Sequence, residues 1–329
     1  MNQEQIMGES TTNETIRDLH LKRKAMWDAS ISNHRRYLNE ETGIFSDKFT
    51  EKRSCPACST NDSRILFWKS GGCYVACNKC SMLYLNPVFK DDALEEYYRS
   101  NHQLQGEVVA NDMGFYSALY SKGLSLITKS FPVLGSILDV GCSTGIFLDI
   151  AKSRGWQTFG LELNKKEAKI ARVKNHLIKE EMINSVRFDK KFDVITLWDV
   201  FEHIKDGAQF LNEAKKLLKK DGIIFIQSPS RDALAAKIMQ SDCNMFDGLE
   251  HVNLYGIESL TMLAKSAGYK VESYETVISE AGVINNYLEY HDPYLGPSKN
   301  NISVADLISE KEIHEKKMGY KFQACLKII

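Results

Sequence analysis

The sequence has no long apolar segment, because none of its hydrophobic runs approaches the roughly 20 residues that a membrane-spanning helix needs. It also lacks an N-terminal stretch with a basic start, an apolar centre and a small-residue cleavage site, so it predicts no secretory signal. An excess of charge of either sign is missing too, since 42 Lys and Arg face 43 Asp and Glu. These absences predict a cytoplasmic protein with no membrane partner, and they argue against nucleic acid as the default partner.

The chain of 329 residues has only eight cysteines, too few for a scaffold held together by disulfides. Four of the eight are arranged in two close pairs. The pairs have the spacing C-x2-C, and residues 59–76 separate them; their members are Cys55, Cys58, Cys77 and Cys80. Four thiolates at this spacing predict a tetrahedral zinc site, which has no open position and is therefore structural. Cys73 is the one alternative ligand, although its surroundings favour a strand residue.

Changes in composition and residue pattern along the chain predict four regions. Polar residues at helical spacing come first, followed by a cysteine-rich β segment, a tyrosine-rich helical stretch, and a long alternation of strands and helices. We therefore divide the chain into a helical N-terminal arm (1–50), a zinc ribbon (51–90), a helical linker or cap (91–131) and a ligand-binding domain (132–329). A break in the alternation at 281–318 predicts a lid over the ligand site.

The alternation after residue 131 predicts an α/β fold in which a parallel sheet is covered by helices on both faces. The predicted strands are 136–140, 157–161, 192–197, 222–227 and 269–274, with a final strand at 320–329 and a weak one at 176–179. In such sheets the ligand lies outside the carboxyl ends of the strands, where the first strand turns into its helix.

That first turn has the sequence LDVGCSTG, residues 138–145, with Gly141 and Gly145 at either end of the turn. Glycine at these positions lets the backbone approach a ligand closely. A triphosphate loop would need Gly-Lys-Ser/Thr, and no lysine is present. A dinucleotide turn would need G-x-G-x-x-G, and Asp139 places a carboxylate beside the position of a pyrophosphate.

The same carboxylate suits a ligand that has an ammonium and a sulfonium group and no phosphate. S-adenosylmethionine (SAM) is such a ligand. A second acid, Glu162, ends the next strand, where a carboxylate can accept hydrogen bonds from both ribose hydroxyls. Either acid alone could be an ordinary solvated residue at a strand end, but both at this spacing around the turn favour a SAM site.

Four motifs in order make the chain resemble class I SAM-dependent methyltransferases: ILDVGCSTG (137–145), GLELN (160–164), FDVITLWDVFEHI (192–204) and LKKDGIIFIQSPS (218–230). The resemblance implies a Rossmann-like, seven-stranded sheet whose last strand is antiparallel. It also implies the residues that bind SAM. They are Asp139, Gly141, Ser143 and Gly145 in the turn, Glu162 at the ribose, Trp198 and Asp199 at the other flank, and Glu181 and Met182 nearest the adenine.

Two histidines fall near the carboxyl edge of the predicted sheet, where a base could take a proton from the methyl acceptor. His203 follows the fourth strand, and His251 follows Glu250 in the chain. The Glu-His step resembles that of sugar C-methyltransferases, in which such residues lie at the acceptor. Many O-methyltransferases of this fold share the step, so Glu250, His203 and His251 are catalytic candidates while the methylated atom, O or C, stays open.

A zinc ribbon, a tyrosine-rich linker and a SAM domain in succession resemble sugar and secondary-metabolite methyltransferases. The resemblance implies a small-molecule acceptor such as a nucleotide-linked sugar, while Tyr97, Tyr98 and Tyr116 either line its pocket or pack in the core. Two alternatives stay open: an RNA methyltransferase that uses the ribbon to hold RNA, and a non-catalytic SAM-binding interaction protein. The oligomeric state cannot be read from the sequence.

Overall fold

A computed structural model describes residues 32–100, 112–289 and 307–329 of the chain. Its strands are β1 (Thr50–Glu51), β2 (Ser63–Lys69), β3 (Gly72–Cys77), β4 (Leu83–Leu85), β5 (Val88–Phe89), β6 (Ser136–Val140), β7 (Gln157–Leu161), β8 (Leu177–Lys179), β9 (Phe192–Trp198), β10 (Leu218–Pro229), β11 (Asn253–Leu254), β12 (Tyr269–Val277) and β13 (Lys321–Ile328). The predicted arm at 1–50 lies outside this description as far as residue 31.

Helices connect and cover the strands. The α-helices are α1 (Asp91–Ser100), α2 (Met113–Ser130), α3 (Ile146–Ser153), α4 (Lys165–Val173), α5 (Gly207–Leu217), α6 (Leu234–Met239), α7 (Ile257–Ser266), α8 (Ala281–Glu289) and α9 (Glu310–Glu315). Short 3-10 helices span Arg35–Tyr37, Phe201–His203 and Gln240–Asp242. No helix within the described ranges has both the length and the apolar character needed to cross a membrane.

The central sheet has seven strands in the order β12-β13-β10-β9-β6-β7-β8. The strands from β6 to β10 pair in parallel, whereas β13 is antiparallel to both of its neighbours, β10 and β12. The predicted seven-stranded α/β fold with an antiparallel last strand is confirmed. Strand β6 lies between β7 and β9, so the strand order reverses there and opens a crevice at the carboxyl ends of β6 and β9.

Helix α2, from the stretch that the sequence predicts as a linker, covers one face of the central sheet. Its backbone touches the sheet at Gly123, where an added Cβ would come 2.3 Å from the Trp198 ring and 2.8 Å from the Phe225 ring. Leu124 and Ile127 on the same helix are buried in the cluster that contains both rings. A larger side chain at Gly123 would therefore push the helix off the sheet beside β9.

The ribbon sheet contains a strand that its own segment does not supply. The strand order is β11-β4-β3-β2, and β11 pairs with β4 through Asn253 opposite Tyr84 and Leu254 opposite Leu83. Every residue of β3 is buried, partly by Met245 and Phe246 from the segment before β11. A segment as short as 51–90 cannot enclose a core of its own, and the later segment supplies the missing layer.

The predicted lid at 281–318 is only partly described, because residues 290–306 lie outside the described ranges. Its described parts are α8 and α9. Val283 and Ile284 of α8 pack in a cluster with α6, and Ile313 of α9 is buried. These parts are attached to the body of the protein, and the lid stays a prediction.

Candidate functional site

The turn after β6 has the backbone that its glycines predict. Gly141 and Gly145 have φ angles of +73° and +78°, in the left-handed region that favours glycine. The amides of Gly141 and Cys142 donate to the Leu161 carbonyl at 2.8 and 3.1 Å, which ties the turn to the end of β7. A Cβ on Gly141 would also come 2.7 Å from Val200, so the turn packs directly against the segment that follows β9.

Glu162 bridges the ends of the first two strands. Its Oε2 accepts a hydrogen bond from the Ser143 amide at 2.8 Å, and its Oε1 accepts one from the Asn164 amide at 2.7 Å. Burial raises the pKa of this carboxyl, although the two amides favour its charged form. The carboxylate is therefore held beside the glycine turn, where the sequence predicts ribose binding.

Replacing Glu162 by alanine should weaken SAM binding by about 100-fold in calorimetry, because two hydrogen bonds to a charged group are lost together. Glu180→Gln is a matched control, since Glu180 lies near the same sheet edge and pairs with Arg172. Unchanged affinity in the Glu162 variant would refute the ribose assignment.

Asp139 is enclosed between the ends of β6 and β9. Its Oδ1 accepts a hydrogen bond from the Thr196 hydroxyl at 2.7 Å, and the residue is only 2% exposed. Burial raises the pKa of Asp139 to about 8, with the Thr196 bond acting in the opposite direction. A neighbouring ammonium group would favour the charged carboxylate and reverse the shift.

SAM binding should therefore release about one proton at pH 7 if Asp139 holds the ammonium group of the cofactor. Because only the charged carboxylate binds, the apparent affinity of the wild-type protein should rise about tenfold between pH 7 and pH 9 relative to that of Asp139→Asn, in which only the amino group of SAM titrates. Without cofactor, the stability of the folded protein changes with pH in the opposite direction. The raised pKa of Asp139 stabilises the folded state at low pH, where the carboxyl is protonated, and this stabilisation is lost as the pH rises through about 8.

Calorimetry in buffers of different ionisation enthalpy measures that proton. Asp139→Asn is the matched comparison, because the amino group of SAM titrates equally with both proteins and only the Asp139 proton differs. Equal proton release by the two proteins would refute the assignment of the ammonium group to Asp139.

The other predicted cofactor residues occupy different surroundings. The Ser143 hydroxyl is buried and has no hydrogen-bond partner within the described part of the chain. Glu181 and Met182 follow β8 and are exposed. The Trp198 ring packs among Tyr120, Phe147 and Phe225, so this residue offers mainly its backbone edge to the crevice. Their contacts with SAM stay predictions.

Asp199 follows β9 with a φ angle of +54° and takes part in a partly buried polar network. Its carboxylate accepts a hydrogen bond from Lys321 at 2.5 Å and weaker ones from Gln227 at 3.3 Å. Burial alone would lower the pKa of Lys321, but the Asp199 charge outweighs it and raises the pKa. No local pattern indicates Lys321, because the last strand brings it to this edge from 122 residues away along the chain.

The two candidate histidines lie side by side. Their ring centroids are 4.9 Å apart at an interplanar angle of 65°. His203 Nδ1 is 3.0 Å from the Glu250 carbonyl, and His251 Nδ1 is 2.7 Å from the Met245 carbonyl. Carbonyl oxygens only accept, so each Nδ1 carries its proton and each Nε2 keeps a lone pair.

The loop that carries His251 is fixed from several directions. The Asp247 carboxylate accepts hydrogen bonds from the amides of Leu249, Glu250 and His251. The Tyr97 hydroxyl bonds the Glu250 carboxylate at 2.5 Å, and Tyr97 itself is fully buried. The Glu250 side chain is thus held against α1, while its carbonyl orients His203. Of the other two tyrosines, Tyr116 is buried on α2, and the side chain of Tyr98 lies outside the description.

Glu202 is a third ionisable group beside His203 and His251, and the sequence analysis did not single it out. One ligand atom each from Glu202, His203 and His251 lie within 4.8 Å of one another. Neither Glu202 oxygen has a hydrogen-bond partner among the described residues, and burial raises the pKa of the carboxyl to about 7. The Glu-His step in FDVITLWDVFEHI was a usable signal, but only its histidine was singled out.

The four paired cysteines form one cluster. Their sulfur atoms lie within 4.8 Å of one another, and the Cys55–Cys80 and Cys58–Cys77 sulfur distances are both 3.5 Å. Four thiolates around zinc would be about 3.8 Å apart, so the cluster fits the ion with little movement. Cys73 is a buried residue of β3 and does not belong to the cluster.

Arg53 connects the cysteine cluster to the histidine loops. Its guanidinium donates to the carbonyls of Leu85, Lys205 and Val252 and to the Asn253 side chain, at 2.7–3.0 Å. Lys205 follows His203 closely in the chain, and Val252 is next to His251. One side chain from the edge of the ribbon therefore holds both histidine segments in place.

A family model described as "Methyltransferase domain" matches residues 114–274, just under half of the chain. That range includes the glycine turn, Glu162, Asp199 and both histidines. The match identifies residues 114–274 as a methyltransferase domain.

Curated relatives of this methyltransferase domain include two ubiquinone biosynthesis O-methyltransferases. The protein from Pelagibacter ubique is 35% identical over 27% of this chain and 40% of its own length. The protein from Haemophilus ducreyi is 29% identical over 32% of this chain and 50% of its own length. The chain thus spans half or less of the length of these relatives.

Solved structures similar to this chain are also methyltransferases. The plantazolicin methyltransferase BpumL in complex with SAH is 16% identical, with a TM-score of 0.49 over 71% of this chain and 93% of that one. A SAM-dependent methyltransferase from Clostridium acetobutylicum is 12% identical, with a TM-score of 0.42 over 64% of this chain and 90% of that one.

Proposed function

We propose that the protein is a SAM-dependent methyltransferase that transfers a methyl group to a hydroxyl oxygen of a small molecule. The observation that carries the proposal is the pair of imidazoles, His203 and His251, whose Nε2 lone pairs are fixed by Nδ1 bonds to backbone carbonyls. Such a base is needed at the acceptor because an alcohol or phenol must lose a proton when its oxygen is methylated.

The residues around the glycine turn fit the cofactor. The buried Asp139 carboxylate would pair with its ammonium group and Glu162 with its ribose, and the unpartnered Ser143 hydroxyl is a further polar group in the same turn. Bound SAM would supply an electrophilic methyl group on a sulfonium. The protein aligns the acceptor with that methyl group, excludes water, and takes the acceptor proton at an imidazole Nε2.

The proposed acceptor is a small organic molecule with a free hydroxyl group. Relatives named for ubiquinone biosynthesis support O-methylation of such a compound. A nucleotide-linked sugar or a secondary metabolite is the finer proposal, which rests on the combination of ribbon and SAM domain. Methylation of carbon stays an alternative, because an imidazole base serves both reactions.

We further propose that the cysteine cluster holds structural zinc, which its sulfur distances of 3.5 Å support. Four thiolates leave no open position on the ion, so the zinc would not take part in methyl transfer. A cytoplasmic location belongs to the same proposal, because thiols stay reduced there and free to bind metal.

The alternative of an RNA acceptor gains no support from the ribbon. The modest basic excess of its sequence includes Arg53 and Lys90, and both are engaged within the protein. Arg53 holds the histidine loops, and the Lys90 ammonium donates to the carbonyls of Asp47 and Lys48. A non-catalytic SAM-binding role leaves the fixed imidazole pair without a purpose.

The test is an assay of the purified protein with SAM that carries a deuterated methyl group. A panel of catechols, other phenols, nucleotide-linked sugars and RNA is incubated with enzyme, and mass spectrometry looks for the labelled methyl group in each compound. We expect label on oxygen in at least one compound, accompanied by an equal amount of SAH. Label on carbon or RNA, or SAM binding without transfer to any class, would contradict the proposal.

A further inference from the structure

The group formed by Glu202, His203 and His251 has the composition of a metal site as well as that of a base. One ligand atom from each residue lies within 4.8 Å of the other two. Ligand atoms about 2.1 Å from a four-coordinate ion lie about 3.4 Å apart, so side-chain movements of about 1 Å would close the set around an ion. Two imidazoles and one glutamate are the protein ligands of a common type of zinc site with one open position.

The imidazoles are oriented as metal ligands usually are. A metal-binding histidine typically donates its second ring N–H to a carbonyl or carboxylate, which fixes the ring and directs the other nitrogen at the ion. His203 does so with the Glu250 carbonyl, and His251 with the Met245 carbonyl. The Asp247 carboxylate lies 3.7 Å from the same His251 Nδ1 and favours the same orientation.

Glu202 supplies the negative charge. Its side chain is fully buried, and neither oxygen has a hydrogen-bond partner in the ranges that the structure describes. Lys321 acts on Glu202 only at a distance, because its ammonium is bonded to Asp199 at 2.5 Å. A buried carboxylate without a partner is costly, and a cation would relieve that cost.

We infer that Glu202, His203 and His251 bind a divalent cation of the class that prefers imidazole and carboxylate ligands, such as Zn²⁺ or Co²⁺. The cation would enter through the two histidines, which are partly exposed, as shown by the 22% exposure of the His251 side chain. This site is separate from the cysteine cluster, which binds through four sulfur atoms and has no open position.

The effect that we expect a bound cation to have on methyl transfer rests on the proposed function. A bound cation would take the Nε2 lone pairs that the acceptor proton needs, and it would lie where the acceptor hydroxyl must approach. Free zinc or cobalt should therefore inhibit methyl transfer reversibly, in competition with the acceptor and not with SAM. A chelator that removes the loosely held ion while leaving the thiolate-bound zinc should restore activity.

The experiment titrates Co²⁺ into protein whose cysteine cluster is already loaded with zinc, and follows binding by visible absorption and calorimetry. Cobalt on imidazole and carboxylate ligands gives weak d–d bands, whereas exchange into the cysteine cluster would add an intense thiolate-to-metal band. Glu202→Gln and His203→Ala should each weaken cobalt binding by at least about 10–100-fold, the loss that removal of a ligand's hydrogen-bond partner already causes. His314→Ala is the matched control, because it removes an imidazole bonded to Thr276 in another part of the chain.

SAM affinity, measured on each variant, reports whether the fold is intact and separates the two proposals. The inference is overturned if the wild-type protein and the Glu202 variant bind cobalt equally while both bind SAM. The predicted inhibition is overturned if added cobalt accelerates methyl transfer to a panel compound, because the ion would then activate the acceptor in place of an imidazole. Failure of the wild-type protein to bind SAM would instead contradict the proposed function.

Discussion

Replacing Cys55 and Cys58 together by serine is expected to remove zinc from the protein and to abolish methyl transfer. Structural zinc contributes about 10–16 kcal/mol to the folding of small metal-binding units, so the ribbon cannot keep its shape without the ion. Its collapse would release Arg53, which bonds to the carbonyls of Lys205 and Val252 beside the two histidines. The glycine turn and Glu162 make none of these bonds, and SAM should still bind.

The measurements for this prediction are metal content, SAM affinity and turnover. We expect about one zinc per chain in the wild-type protein and none in the double variant. Cys73→Ser is the matched control, because Cys73 is buried in the same ribbon sheet but lies outside the cluster. It should keep its zinc and most of its activity.

Arg53→Met separates the role of the Arg53 guanidinium from the loss of the whole ribbon. This variant should retain zinc and SAM affinity while turnover falls, because the histidine segments lose their common anchor. Full turnover in a zinc-free protein, or in the Arg53 variant, would show that the ribbon does not position the acceptor site.

The second large effect is expected at His251. Its replacement by alanine should lower the rate of methyl transfer by about 10²–10⁴-fold, the range that a general base contributes, while SAM affinity stays the same. His203→Ala should also lower the rate, because the two rings lie 4.9 Å apart and share the acceptor edge. Turnover is compared with the affinity for SAM measured on the same samples.

His314→Ala again serves as the control for loss of an imidazole. If His251→Ala keeps full turnover, His251 is not the base, and His203 becomes the remaining candidate of the pair. A parallel loss of SAM affinity would show instead that the substitution damages the fold, since neither histidine touches the glycine turn through a described hydrogen bond.

Local signals predict much of this fold. The glycine turn could be found because Gly141 and Gly145 meet a backbone requirement that few residues satisfy, and their φ angles confirm it. The cysteine pairs could be found because the C-x2-C spacing alone sets each knuckle, and Ser59 and Ser81 have nearly equal φ angles of 60° and 59° in the two turns. Neither inference needs knowledge of distant contacts.

The features that the sequence reading missed depend on long-range contacts. Lys321 reaches Asp199 only because β13 inserts between β10 and β12. Strand β11 is two residues long, too short to give an alternating pattern, and it exists through its pairing with β4. Arg53 belongs to no local motif, and only the structure shows that it anchors the histidine segments through the carbonyls of Lys205 and Val252.

Calorimetry of the purified chain with SAM, SAH and NAD⁺ tests most directly which ligand the glycine turn binds. We expect saturable binding of SAM and SAH at one site per chain, strongly weakened in Glu162→Ala, and no heat with NAD⁺. Saturation with the dinucleotide and no heat with either sulfur compound would contradict the account, because the pocket would then bind a pyrophosphate beside Asp139.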